Sequence, residues 1–195
     1  ASLGHAEWLA VLLEREASLR HDKRLATRLR HAKLRQQACV EDIDYRTPRG
    51  LDRALLAKLV EGLWIDENAN LLICGPAGVG KSWIASALGH KACRDNRSGL
   101  YHRVPRLFGA LALARGDGRY GRLLKALGRV QVLILDDWGL SVLTGSERRD
   151  LLEILDAPEV PVLADSTQVE TRHAQGLGPH LRVPAVESPE VEIGG

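Results

Sequence analysis

The feature that most constrains the fold is an eight-residue loop at residues 75–82, with the sequence Gly-Pro-Ala-Gly-Val-Gly-Lys-Ser. It matches G-x-x-x-x-G-K-[ST], the phosphate-binding P-loop, in which backbone N–H groups surround phosphate oxygens. The apolar run 71–74 before it predicts a buried strand, and apolar residues recur at helical spacing after it. Strand, loop and helix in this order place the phosphates at a helix N-terminus. We therefore predict that an ATP molecule is bound by Gly75, Pro76, Ala77, Gly78, Val79, Gly80, Lys81 and Ser82.

A second motif is typical of the acidic part of such a site. Residues 130–135 form a run of leucine and β-branched residues, interrupted by one glutamine, which predicts a strand buried in a parallel sheet, and Asp136 and Asp137 follow it. We expect Ser82 and Asp136 to hold Mg²⁺, and Lys81 to contact the β- and γ-phosphates. Asp137 is then available to orient or deprotonate an attacking water. Two consecutive acids favour an ATPase over a kinase of small metabolites, so Lys81 and Asp137 are the predicted catalytic residues.

Size and composition fit one globular domain with short additions. The chain has 195 residues, of which 45% are hydrophobic and 27% charged. No apolar run approaches the length that crosses a membrane, and Glu7, Glu14, Arg15 and Glu16 interrupt the N-terminal apolar stretch. These features predict a cytoplasmic protein that has no membrane partner.

The charge of the chain is distributed unevenly. Residues 15–35 contain eight Arg or Lys against two acids, whereas residues 157–195 contain two Arg against six acids. The basic window also carries leucines at helical spacing, which predicts one amphipathic helix or a pair of helices. Its charges either form an ordinary solvated face or bind the phosphate backbone of duplex DNA with little sequence specificity. The second interpretation assigns DNA contacts to Arg20, Lys23, Arg24, Arg28, Arg30, Lys33 and Arg35.

Alternating strand and helix patterns predict an α/β fold of three layers around a parallel sheet. Helices are expected at 8–19, 23–37, 105–114 and 122–127, with Leu51, Leu55, Leu59 and Leu63 forming the stripe of another. A strand is expected at 100–104. Thr144 and Glu147 form a capping box that opens a further helix. The predicted organisation is a basic helical region at 1–47, a P-loop core at 48–168 and a disordered tail at 169–195.

Several segments together resemble the IstB-type helper ATPases of DNA transposition. They are residues 43–52, 75–82, 114–118, 135–140 and 147–155, and the resemblance covers about 6–156. It implies an AAA+ fold close to that of the DnaC-type helicase loaders, with Lys81 and Ser82 in the Walker A motif and Asp136 and Asp137 in the Walker B motif. It also implies an ATP-dependent homo-oligomer on duplex DNA that delivers target DNA to a cognate transposase.

The resemblance stops after Asp156. Relatives continue with a strand that carries a polar sensor, and with an arginine that reaches the ATP of a neighbouring subunit. Here 160–164 is expected to form a strand, 166–168 is the candidate sensor segment, and Arg172 and Arg182 are the candidates for the arginine. From Gly176 onward, several Gly and Pro residues and the lack of periodicity predict disorder. Two functions stay open: an ATP-hydrolysing transposition helper, or a nucleotide-gated DNA-binding adaptor that hydrolyses ATP slowly.

Overall fold

A five-stranded parallel sheet organises the protein. The computed structural model describes residues 4–46, 51–138, 142–155, 160–166 and 180–182. The strands are β1 Leu71–Cys74, β2 Gly99–Arg103, β3 Val132–Trp138, β4 Val162–Ser166 and β5 His180–Arg182, in the order β2-β3-β4-β1-β5. The helices are α1 His5–Ala32, α2 Arg53–Glu61, α3 Leu63–Asp66, α4 Lys81–Arg94, α5 Val104–Gly116, α6 Tyr120–Leu127 and α7 Gly145–Leu155, with a 3₁₀ turn at Val40–Asp42.

Side chains alternate between the two faces of the sheet, and each face carries its own core. In β1, Leu71 and Ile73 pack with α2 and α4, whereas Leu72 packs with α5 and α7 on the opposite face. In β3, Ile134 belongs to the core with α2 and α4, and Leu135 belongs to the core with α5 and α7; both side chains are fully buried. Burial on both faces explains the continuous apolar strand sequences. The predicted three-layer α/β fold is confirmed.

The N-terminal region contains one long helix, which is the first of the two alternatives for the basic window and replaces the separate helices expected at 8–19 and 23–37. Helix α1 runs without interruption for 28 residues, because nothing between 19 and 23 breaks a helix. It ends at Ala32, where Lys33 adopts a left-handed conformation with φ of 52°, so the prediction of helix up to residue 37 is also wrong. Its C-terminal part contacts β2 and α4, whereas Trp8, Leu12 and Leu13 near its start are exposed.

The predicted leucine stripe after residue 50 is partly wrong. Gly62, with φ of 80°, ends α2 after Glu61, so Leu63 belongs to the next short helix and is 58% exposed. Leu56 and Leu59 are the buried residues of α2. The other predicted elements of the core are present with small shifts in their ends, and β3 extends through both Asp136 and Asp137. The capping box is confirmed, since Thr144 N donates to Glu147 at 2.7 Å and Glu147 N donates to Thr144 Oγ1 at 3.3 Å.

The C-terminal residues differ in one place from the predicted tail. Strand β5 pairs in parallel with β1, with Leu181 beside Ile73, so residues 180–182 are not disordered and belong to the sheet of the core. Strand β4 covers Val162–Ser166 instead of 160–164. The sensor candidates Thr167 and Gln168, the candidate Arg172 and the rest of the predicted tail lie outside the described residues.

Candidate nucleotide-binding site

The glycine-rich loop connects β1 to α4 at the carboxyl edge of the sheet, where ligands bind in open α/β folds. Gly78 and Gly80 have φ of 82° and 91°, values that side-chain-bearing residues rarely adopt. Nothing lies within 4 Å of the position of a Cβ on Gly78, so backbone conformation rather than crowding requires glycine there. Gly80 is also the N-cap of α4, so the unpaired N–H groups of the first helical turn lie next to the loop.

Lys81 is the buried cation of this loop. Its side chain is only 5% exposed, and Nζ donates a hydrogen bond to the carbonyl oxygen of Pro76 at 2.8 Å. The same Nζ lies 3.8 Å from Asp165 Oδ1. The ammonium group is therefore held between a backbone carbonyl of the loop and the carboxylate of Asp165.

Two buried carboxylates meet at the hydroxyl of Ser82. Ser82 Oγ lies 3.0 Å from Asp136 Oδ1 and 2.8 Å from Asp165 Oδ2. The structure thus brings together Lys81, Ser82 and Asp136, as predicted. Hydroxyl and carboxylate oxygens are the hard donors that Mg²⁺ prefers, so the residues present fit the predicted metal.

Asp165 is the site residue that the sequence prediction missed. It is 3% exposed and lies beside Ile73 in the register of β4 with β1. Burial raises its pKa to about 7, although the hydrogen bond from Ser82 opposes the shift. A signal was present, because a charged residue after the apolar Val162, Leu163 and Ala164 marks the carboxyl end of a buried parallel strand.

Asp136 is 1% exposed and receives donors from several directions. The Tyr101 hydroxyl donates to Oδ2, Arg35 Nη1 donates to the same oxygen at 3.0 Å, and the backbone N–H of Asp137 donates to Oδ1 at 2.9 Å. Burial disfavours the ionised form, but the hydrogen bonds from Tyr101, Arg35, Asp165 and Ser82 outweigh it and lower the pKa of Asp136. The side chain is thus a buried, charged oxygen donor.

Asp137 is held differently from its neighbour. Its φ of 62° is unusual for a residue other than glycine, and such conformations occur preferentially at functional sites. Its Oδ2 accepts a hydrogen bond from Nε of Arg103, the last residue of β2. The predicted base is therefore engaged in an ion pair, and among the described residues no hydrogen bond joins its side chain to Ser82 or Lys81.

A cavity of about 360 Å³ opens beside the loop. Ile43, Leu51 and Trp83 supply its apolar walls, and Gly80 joins it to the loop. The acidic residues Asp42 and Asp44 and the amide of Gln36 also line it. The cavity thus combines a flat aromatic surface with polar groups directly next to the phosphate-binding motif.

The residues predicted to contact DNA fall into two groups. At 3.6 residues per turn, those within α1 span an arc of about 160°, opposite the partly or fully buried Leu25, Leu29 and Ala32. The members of this arc are Arg20, Lys23, Arg24, Arg28 and Arg30, all exposed except the half-buried Arg28. Lys33 is exposed just beyond the helix, and Arg20 pairs with Glu16 at 2.6 Å. Arg35 differs from the others, because its guanidinium is bound to Asp136 in the nucleotide site.

Among the described residues, none of the helices has both the length and the apolar character needed to cross a membrane.

The family model of IstB-like ATP binding proteins matches residues 1–160. An insertion-sequence ATP-binding protein of Sinorhizobium fredii is 70% identical over 154 residues, which cover 79% of this chain and 63% of that protein. A similar protein of Pseudomonas fluorescens is 53% identical, and the match covers 80% of this chain and 68% of that protein. A similar protein of Mycobacterium tuberculosis is 34% identical, and the match covers 78% of this chain and 61% of that protein. The chain therefore spans less than two thirds of the Sinorhizobium protein.

Solved structures show the same fold at low sequence identity. AMPPCP-bound DnaA from Aquifex aeolicus has a TM-score of 0.65 at 17% identity, covering 77% of this chain and 51% of that one. DnaI has a TM-score of 0.61 at 20% identity, covering 75% and 91%. The DnaC helicase loader has a TM-score of 0.57 at 17% identity, covering 67% and 86%. This chain thus shares the fold of these three proteins.

Proposed function

Because this chain belongs to the IstB-like ATP-binding proteins, we propose that it binds ATP with Mg²⁺ and acts on duplex DNA as an AAA+ helper of transposition. The observation that carries this proposal is the meeting of Lys81, Ser82 and Asp136 at the P-loop, with the loop glycines in the required conformation.

In the proposed complex, the loop N–H groups and Lys81 bind the β- and γ-phosphates, replacing the contact of Lys81 with Pro76. Ser82 and Asp136 would hold Mg²⁺, and the bound ion would stabilise the negative charge that develops during phosphoryl transfer. The base enters the adjacent cavity, where Trp83 offers an aromatic surface for stacking and Gln36 and Asp42 offer polar partners.

Asp137 is proposed to orient or deprotonate the attacking water. For that role its carboxylate must separate from Arg103, because its Oδ2 already accepts a hydrogen bond from Arg103 Nε. DNA is proposed to bind along the basic arc of α1, where the arginine and lysine side chains contact phosphates and not base edges. An ATP-dependent homo-oligomer and a transposase partner are further parts of the proposal, based on the family.

A second candidate is a nucleotide-gated DNA-binding adaptor that hydrolyses ATP slowly. The Arg103–Asp137 ion pair favours it, since the proposed base is already occupied. The family model also ends at residue 160, before the region where relatives are expected to carry their arginine finger. Such an arginine increases the rate of phosphoryl transfer by a factor of about 10³–10⁵ in other enzymes.

An ATPase assay with and without duplex DNA tests the proposal and separates the two candidates. We expect slow hydrolysis by the chain, stimulated by DNA, and recovery of faster hydrolysis when the C-terminal part of the Sinorhizobium relative is joined after Asp156. Asp137→Asn should remove the hydrolysis that remains, while nucleotide binding is retained. Hydrolysis by the unmodified chain at the rate of the joined version would contradict the adaptor, and absence of hydrolysis by both would contradict the helper ATPase.

A gel-shift series with unrelated duplexes tests the DNA surface. Arg24→Gln with Arg30→Gln should weaken binding to all sequences alike and make it less sensitive to salt. The matched control is Arg148→Gln with Arg149→Gln, which removes the same charge from the exposed side of α7. Equal weakening by both pairs would mean that net charge alone, and not the α1 surface, determines binding.

A further inference from the structure

A third carboxylate lies where the proposed Mg²⁺–nucleotide complex must form. Asp165 is buried at the end of β4, and its two oxygens face the two P-loop side chains that the motif assigns to ligand binding. Oδ2 lies 2.8 Å from Ser82 Oγ, and Oδ1 lies 3.8 Å from Lys81 Nζ. The roles proposed so far leave Asp165 without a function.

The spacing of the oxygens is that of neighbouring ligands on one Mg²⁺. An octahedral ion with bonds of 2.0–2.1 Å places adjacent ligand atoms about 2.9 Å apart. Ser82 Oγ is 3.0 Å from Asp136 Oδ1 and 2.8 Å from Asp165 Oδ2. A hydroxyl has a single hydrogen to donate, so it satisfies two carboxylates poorly, whereas its oxygen and theirs suit a shared cation.

The charges around the loop also favour a bound cation. Lys81 and Arg35 are the cations that contact these two buried carboxylates, and Asp136 and the ionised form of Asp165 balance them one for one. Asp137 is paired separately with Arg103. A triphosphate without metal therefore meets a site of little net positive charge, whose low-dielectric surroundings strengthen repulsion from the carboxylates.

We propose that Asp165 positions Mg²⁺ together with Ser82 and Asp136, and that its charge makes nucleotide binding depend on the metal. The site then takes the Mg²⁺ complex of a nucleoside triphosphate and rejects the metal-free anion. This inference rests on the proposed function, since it concerns the same site. Within the described residues no group of three His, Cys, Asp or Glu side chains is suited to hold a metal, so the protein ligands of the proposed site are two carboxylates and one hydroxyl.

The test compares the affinity for a fluorescent, non-hydrolysable ATP analogue in Mg²⁺ with the affinity in EDTA, at a pH above the raised pKa of Asp165 so that its carboxylate is ionised. In wild type the analogue should bind much more tightly with Mg²⁺. A single charge 4–6 Å away changes a binding equilibrium by about tenfold or more, so Asp165→Asn should lower the Mg²⁺-to-EDTA affinity ratio by about that factor. Part of the change should come from tighter binding in EDTA. The control Asp66→Asn removes the same charge from an exposed residue paired with Arg97 and should leave the ratio unchanged.

The outcomes separate this inference from the proposed function. Absence of analogue binding by wild type in Mg²⁺ would contradict the nucleotide site itself. Wild-type binding that is equally tight in Mg²⁺ and EDTA would overturn the role of Asp165 and leave the nucleotide site standing. An unchanged ratio in Asp165→Asn would overturn it as well. Asp165→Ser provides a second neutral variant if the asparagine variant does not fold.

Discussion

Removing the hydroxyl of Tyr101 tests whether the nucleotide-free protein keeps Asp136 charged by donating hydrogen bonds to it. Tyr101 is 8% exposed on β2, and its hydroxyl donates to Oδ2 of Asp136 on β3. Tyr101→Phe deletes that donor and keeps the ring, so no cavity of the size of a side chain forms. The variant therefore isolates the hydrogen bond from the packing.

The expected loss follows from the surroundings of the carboxylate. Hydrogen bonds to charged groups contribute about 1.5–3 kcal/mol to the free energy of unfolding. Oδ2 keeps its contact with Arg35 at 3.0 Å, so we expect the lower part of that range, about 1.5–2 kcal/mol. With about 2 kcal/mol per molar of urea for the denaturant dependence, the unfolding midpoint should fall by nearly 1 M.

Urea unfolding followed by circular dichroism, without Mg²⁺ or nucleotide, measures this effect. The control is Tyr45→Phe, because Tyr45 is 36% exposed and its ring stacks with Arg53 at 4.7 Å. This control variant should change the free energy of unfolding by less than about 0.5 kcal/mol. The pKa of Asp136 is lowered in the folded state, so its contribution is present above the ordinary pKa of 3.8 and is lost as pH falls through the lower folded value. The difference between wild type and Tyr101→Phe should therefore shrink at acidic pH. Equal urea unfolding midpoints for Tyr101→Phe and Tyr45→Phe at neutral pH would contradict a stabilising hydrogen bond from Tyr101 to Asp136.

Two further predictions concern the packing that positions the loop, and both are measured by thermal unfolding. Leu56→Ala should lower the free energy of unfolding by about 2–5 kcal/mol because the side chain is fully buried, whereas Leu63→Ala should cost less than about 0.5 kcal/mol because it is 58% exposed. Gly89→Ala should lower the free energy of unfolding by about 1–2 kcal/mol, since the added Cβ would lie 2.5 Å from Ile134 Cδ1. Gly109→Ala has open space around the added Cβ and should raise the free energy of unfolding by up to about 1 kcal/mol, because alanine favours helix α5. Similar effects within either pair would contradict the packing described.

The parts of the site that the sequence predicted are those whose chemistry is local. A phosphate-binding loop needs glycines at particular conformations, and Gly78 and Gly80 adopt them. Its helix must begin directly after the last glycine, which places Lys81 and Ser82 on the first turn. Asp136 follows an apolar run that identifies its strand. Each of these signals lies within a few consecutive residues.

The residues that the sequence did not place depend on strand order and tertiary contact. Asp165 reaches Ser82 because β4 lies between β1 and β3, and no local pattern specifies that order. Arg35 resembles its basic neighbours in sequence, but the chain after α1 carries it to Asp136. The sequence predicts helices at 8–19 and 23–37, but no glycine or proline lies between them, so α1 continues through this segment.

Equilibrium titration with a fluorescent ATP analogue in Mg²⁺ measures whether the loop from Gly75 to Ser82 binds a nucleoside triphosphate. Lys81→Ala removes the buried cation of the loop, and the control Lys58→Ala removes an exposed lysine of α2. We expect saturable binding by wild type and Lys58→Ala and no detectable binding by Lys81→Ala. Binding by Lys81→Ala with the affinity of wild type would contradict nucleotide binding at this loop.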